Sequence, residues 1–160
     1  TDTRLEVGDN STVLYGEILV PGRIHHSPEE YFGFDVYSAC VRAYNKQGKE
    51  LFCEKFVIEP KKQDLQQLGM LQGFEIYGNV ILLTPKEHAD AIFEQMDAKF
   101  SVKDQVASGV SRLPNDAGLI FKVLGKEVKP VRERIHEFWR VVRKVVKGAE
   151  LPDPFLWRPY

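Results

Sequence analysis

Arg112-Leu113-Pro114-Asn115-Asp116-Ala117-Gly118-Leu119-Ile120 reads as a tight turn feeding an apolar strand, and it sets the reading of the whole chain. Proline presets φ, and Asn and Asp tolerate the left-handed backbone that closes a turn, so Pro114-Asn115-Asp116 carries turn chemistry. Leu119 to Leu124 then supplies a last strand, Gly125 a break, and a strongly amphipathic helix follows to Lys147. That order of elements has no catalytic logic.

The helix begins near Pro130 and spans about residues 130–147. Val131, Ile135, Phe138, Val142 and Val145 fall on one face, with Trp139 and Val146 on its flank. Arg132, Arg134, Arg140, Arg143, Lys144 and Lys147 occupy the rest, and Gly148 is placed to cap the end. Two readings of the basic face stand. It is a solvated surface helix whose late Lys and Arg complement the helix dipole, or a docking face for an anionic partner. The tail, Leu151 to Tyr160, holds three prolines and reads as extended. Its Phe155, Trp157 and Tyr160 are anchors for a partner, or else they fold back beside the helix.

Upstream, the first half reads as antiparallel β, with strands over about residues 4–83. Leu5 and Val7 alternate with Arg4 and Glu6, and Thr12 to Val20 stops at Pro21-Gly22. Phe34 to Tyr44 and Leu51 to Ile58 flank Asn45-Lys46-Gln47-Gly48, a hairpin loop. Placing Tyr44 opposite Lys49 puts Cys40 opposite Cys53. It also gathers Tyr37, Val41, Phe52 and Phe56 on the other, core-facing side. Lys61 to Gln67 is a polar loop, and Phe74 to Leu83 another strand. Thr84-Pro85-Lys86-Glu87 reads as a capping box, and Ala89, Ile92, Phe93, Met96 and Phe100 as an apolar stripe, so a first helix is expected over about residues 84–98. Asp104 to Arg112 is ambiguous. The expectation is an α+β fold, a single domain over residues 1–160. Its body is predominantly antiparallel and β-rich, with two helices in the C-terminal half.

At 160 residues and 43% apolar, the chain can bury a sizeable core. A net charge of −1 gives no electrostatic case for nucleic acid or an anionic membrane. No apolar run reaches the length of a membrane span, and the first residues lack a signal-peptide pattern, so a cytoplasmic protein is expected. Two cysteines are too few for a disulfide scaffold or a Cys-based zinc site. Cys40 and Cys53 remain as soft ligands, redox partners or packing residues, with packing and free thiols expected. His25-His26, with Glu29 and Glu30, is a weak metal candidate, since imidazole suits nickel, copper or zinc. Adjacent histidines in a strand point apart, so joint ligation needs a turn; the other reading is a polar surface loop. The sequence has no G-x-S-x-G, phosphate-binding Gly loop, H-E-x-x-H or C-x-x-C, and no enzyme is expected.

Arg112, Leu113, Pro114, Asn115 and Gly118, followed by Leu124-Gly125 and a final helix containing Trp139, resemble the C-terminal end of the UreD/UreH urease accessory proteins. Tyr15 to Arg23 resembles the family stretch in which a strand ends in a Pro-Gly-Arg turn, here with Gly22 and Arg23. Leu51 to Pro60 and Gly78 to Leu83 resemble the strands that follow. The pattern departs after that turn: many members carry a Gly-Glu pair, where this chain has His25-His26-Ser27-Pro28-Glu29-Glu30. The resemblance implies the C-terminal portion of a longer member, with a β-rich body and two late helices. It implies a nickel-delivery chaperone that scaffolds between apo-urease and the accessory proteins UreF and UreG. Nickel is then transient cargo, and no tightly bound cofactor is expected. Without the resemblance, the same residues fit a β-rich interaction module unrelated to urease.

Overall fold

Ile76–Leu83 reads Ile-Tyr-Gly-Asn-Val-Ile-Leu-Leu and is buried along its whole length. A strand apolar on both faces must be covered on both sides. The computed structural model describes residues 1–22 and 27–152, and places this strand at the centre of three layers. The strands are β1 (Asp2–Val7), β2 (Val13–Leu19), β3 (Tyr37–Asn45), β4 (Glu50–Ile58), β5 (Ile76–Leu83), β6 (Lys99–Ser101), β7 (Val106–Arg112) and β8 (Gly118–Gly125). The helices are α1 (Lys86–Phe93) and α2 (Val128–Lys147).

The larger sheet runs β2-β5-β8-β7-β6 and is antiparallel throughout; the smaller runs β1-β3-β4. Strand alternation sends Val80, Leu82, Leu119, Phe121 and Val123 to one face of the larger sheet, where Ala89, Ile92, Val131, Ile135, Phe138 and Val142 of the helices meet them. Phe121 and Phe138 stack at 4.8 Å. Ile81 and Leu83 point the other way, onto Val7, Val41, Ala43 and Phe52 of the smaller sheet. A third cluster, with Phe32, Ile58, Leu65, Leu71 and Tyr77, closes one end of this inter-sheet layer beneath loops.

The β-rich α+β class and both late helices therefore stand, and the details differ in five places. First, β1 pairs with β3 in parallel, so the smaller sheet is mixed. Second, besides the expected last strand, β8, the larger sheet also takes in β6 and β7 past residue 83. Third, α1 is shorter than expected. Thr84 does not cap it: its N–H donates to the Ala117 carbonyl, and its hydroxyl pairs with Thr12 Oγ1 at 2.8 Å. Phe100 lies in β6 and is 71% exposed rather than on a helical stripe.

Fourth, the hairpin register shifts. Cys40 lies opposite Lys55, and Arg42 opposite Cys53. Asn45 Oδ1 accepts the Gln47 and Lys49 N–H groups and so fixes the turn; Tyr44 then pairs with Glu50 while Ala43 pairs with Phe52. Leu51 is the extra, bulged residue. The total shift is even, so Tyr37, Val41, Phe52 and Phe56 keep the core-facing side. Fifth, Arg134 is buried, not solvated. Its Nε donates to Ser108 Oγ at 2.9 Å, its Nη2 to the Asp97 carbonyl at 3.3 Å, and it pairs with Glu137.

Helix α2 starts at Val128, which places Pro130 in its first turn, where a missing N–H costs nothing. Gly148 caps it in the left-handed conformation, as the sequence pattern predicts.

Candidate functional site

The Arg112–Gly118 segment ties the three layers together. Leu113 is buried among the inter-sheet residues, and its N–H donates to the Gly118 carbonyl at 2.9 Å. Pro114–Asp116 forms a single 3-10 turn, with Asn115 at φ 57°. Asn115 Nδ2 donates to the carbonyl of Leu51 at 2.8 Å. Leu51 is the bulged residue of β4, so Asn115 satisfies an acceptor the ladder leaves over. On the other side, the Arg112 guanidinium pairs with Asp90 of α1 and lies 4.4 Å over the Phe93 ring. Arg112, with burial opposing it, holds the Asp90 carboxyl below the usual aspartate range. Gly118 sits at φ +142°, and a Cβ there would stand 1.9 Å from the Leu82 carbonyl oxygen. Gly22 has a comparable reason, since a Cβ would meet Glu30 O at 2.3 Å. These family-motif residues are internal fastenings.

A polar row crosses the space between the sheets. Glu17, Asn79, Lys122 and Gly109 are direct cross-strand partners along the larger sheet. Glu54 hangs over them from β4, in register with Val41 and Thr3. Asn79 is 1% exposed and donates from Nδ2 to Glu54 Oε2 at 2.8 Å; Lys122 pairs with Glu54 Oε1. The Lys122 ammonium lies 5.8 Å over the Tyr77 ring. Burial pulls the Lys122 pKa down, but Glu54 and Tyr77 outweigh it and leave it above its ordinary value. Burial pushes the Tyr77 hydroxyl up, and among the described residues neither it nor Asn79 Oδ1 has a hydrogen-bond partner. At the β2 end, burial and Glu17 raise the Tyr37 hydroxyl in the same way.

None of these polar residues was singled out from sequence, yet a signal was present. Glu54 alternates with Phe52 and Phe56 on the side assigned to the core, and Asn79 interrupts an apolar strand. A polar side chain on a buried face is the informative exception.

Arg140, Arg143, Lys144 and Lys147 form an exposed basic face on the last turns of α2. Arg143 Nε donates to the Glu150 carbonyl at 3.1 Å, and Lys144 pairs with Glu150 at 3.2 Å. This face lies on the helical side of the larger sheet, away from the polar row. Arg23, His25, His26, Phe155, Trp157 and Tyr160 lie outside the described residues. Among the described residues, no three His, Cys, Asp or Glu side chains converge as metal ligands. Nor is any helix there long and apolar enough to cross a membrane.

The family model described as UreD urease accessory protein matches residues 1–158. The chain is 49% identical over 158 residues to the urease accessory protein UreD of Yersinia pseudotuberculosis serotype O:1b (strain IP 31758), covering 99% of this chain and 49% of the relative. It is 46% identical over 164 residues to that of Yersinia enterocolitica, covering 99% and 50%. It is 44% identical over 155 residues to urease accessory protein UreD 2 of Brucella suis biovar 1 (strain 1330), covering 97% and 51%. The chain thus spans about half the length of the curated relatives it matches. With residues 1–158 accounted for by one family of accessory proteins rather than catalysts, the chain belongs to the UreD urease accessory protein family.

Proposed function

We propose that this chain serves urease maturation in the cytoplasm. It acts as a scaffold between apo-urease and the accessory proteins UreF and UreG while nickel is inserted. The observation that carries this reading is the match along 99% of the chain to relatives named for urease accessory function. Two structural features support it. A scaffold needs exposed docking surfaces, and the basic face of Arg140, Arg143, Lys144 and Lys147 is one. Delivery of a hydrated cation needs polar groups along its way, and the Glu17–Asn79–Glu54–Lys122 row supplies oxygen donors inside an otherwise apolar layer. Nickel is cargo in this reading, and no resident cofactor is required.

The test is capture of UreF by the chain, read beside thermal stability. Replacing the four basic residues by Gln should lower capture and move the melting temperature by only a few degrees, because exposed pairs contribute little and the last-turn charges add a modest helix-dipole contribution. Truncation after Leu151 asks the same of Phe155, Trp157 and Tyr160: lost capture with stability intact marks them as anchors. Undiminished capture by both variants would overturn the assignment of these surfaces. Failure of the unaltered chain to bind UreF, UreG or apo-urease would overturn the scaffold reading itself.

A further inference from the structure

Cys40 and Cys53 belong neither to the three apolar clusters nor to the polar row. Both lie on the outer face of the smaller sheet, beside Arg42 and Lys55. Cys40 is 7% exposed and so buried as expected, but on this outer face rather than in any of the three apolar clusters. Cys53 is exposed, and both thiols are free. The register makes them diagonal neighbours across β3 and β4: Arg42 faces Cys53, and Cys40 is two residues before Arg42 on the same side. Diagonal Cα atoms stand about 7–8 Å apart. That is at or past the limit for a direct sulfur–sulfur bond without backbone movement, but it leaves space for an ion between the sulfurs. The thiols are close enough to influence one another. Desolvation and the neighbouring Cys40 push the Cys53 thiol up, while Arg42 pulls against them.

We infer that Cys40 and Cys53 form a two-thiolate site for a soft monovalent metal ion of the Cu(I) class. The donor set selects the ion. Thiolates favour soft metals, and a structural zinc site requires four ligands. Among the described residues there is no third His, Cys, Asp or Glu to supply more. The charge selects it as well. Both thiols lose their protons on binding, so a monovalent ion between two thiolates leaves one net negative charge. The Arg42 guanidinium, held at 3.2 Å by Asp2 and drawn electrostatically toward both sulfurs, stands beside that charge. A divalent ion would leave a neutral, undercoordinated centre next to two cations, Arg42 and Lys55.

The experiment uses the reduced chain under anaerobic conditions, with Cu(I) presented as its bicinchoninate complex. The chain should withdraw one copper per molecule and develop ultraviolet sulfur-to-copper charge-transfer absorption. Cys53→Ser should abolish both, with the circular dichroism spectrum unchanged because Cys53 is exposed. Cys40→Ser should do the same. If that variant fails to fold, alkylation of Cys53 in the native chain replaces it and should also block uptake. Copper retained by Cys53→Ser or by the alkylated chain would overturn the site, as would no withdrawal by the unaltered chain. Displacement of the copper by equimolar Zn(II) or Ni(II) would overturn the two-coordinate assignment.

Discussion

Replacing Gly118 by Ala tests whether the Arg112–Gly118 segment is a fastening rather than a surface. The new Cβ would stand 1.9 Å from the Leu82 carbonyl oxygen and 2.9 Å from its carbon, and φ +142° is closed to alanine. The obstacle is backbone in the central strand, so no side chain can swing aside. Relief requires the start of β8 to move. That endangers the bonds from the Leu113 N–H to Gly118 O and from the Thr84 N–H to Ala117 O. Backbone strain of this kind costs about 1–3 kcal/mol, and two hydrogen bonds contribute roughly 0.5–1.5 kcal/mol each. The expected loss is roughly 2–6 kcal/mol, a large share of a typical domain's stability of about 5–15 kcal/mol. Gly109→Ala is the control, since a Cβ there meets nothing within 4 Å. In the strand interior it should be neutral or gain up to about 1 kcal/mol. Urea unfolding followed by tryptophan fluorescence measures both. Gly118→Ala falling within 0.5 kcal/mol of Gly109→Ala, a margin of about the usual surface effect, would refute the reasoning.

Lys122→Met leaves the largely buried Glu54 carboxylate without its cation and should cost about 1–2 kcal/mol, less than a fully buried pair because Lys122 is half exposed. The double variant with Glu54→Leu should recover most of that loss, and a double-mutant cycle in urea reads the coupling. Arg112→Gln should raise the Asp90 titration midpoint toward the ordinary aspartate value, followed by carboxyl-carbon NMR. Since the folded pKa is depressed, this contribution is present above the unfolded aspartate pKa and lost as pH falls through the folded one. An unchanged midpoint would remove Arg112 as the cause. Phe138→Ala should cost about 3–5 kcal/mol, because it empties the space opposite the Phe121 ring in a fully buried layer.

What the sequence revealed depended on whether a residue's neighbours were local. The α2 stripe, its Gly148 cap and the turn at Pro114 are set within a few residues, and all three stand. The inner and outer faces of the β3–β4 hairpin were legible because alternation is local too. Its register was not, because the Leu51 bulge is stabilised by Asn115, far along the chain. The parallel pairing of β1 had no local mark. Thr84 had the right type for a cap, but Ala117 and Thr12 claimed its polar groups. Arg134 was assigned to solvent by residue type, and only Ser108, Asp97 and Glu137 give it a buried place.

The exposed basic face of α2 and the polar row lie on opposite sides of one sheet, and a single strand joins them. On β8, Phe121 and Val123 face α2, while Lys122 between them faces Glu54 and the polar row. The exposed basic face of α2 is therefore set against the row through the Phe138–Phe121 stack and the alternation of β8. Interiors packed to crystal-like density do not deform gradually, so these surfaces keep a fixed relation. The Arg112–Gly118 turn adds the remaining constraints. It holds α1 through Asp90, the smaller sheet through Leu51, and β5 through the close approach of Gly118 to Leu82. A partner docked on α2 would thus be held in one fixed orientation relative to the polar row on the far face of the sheet.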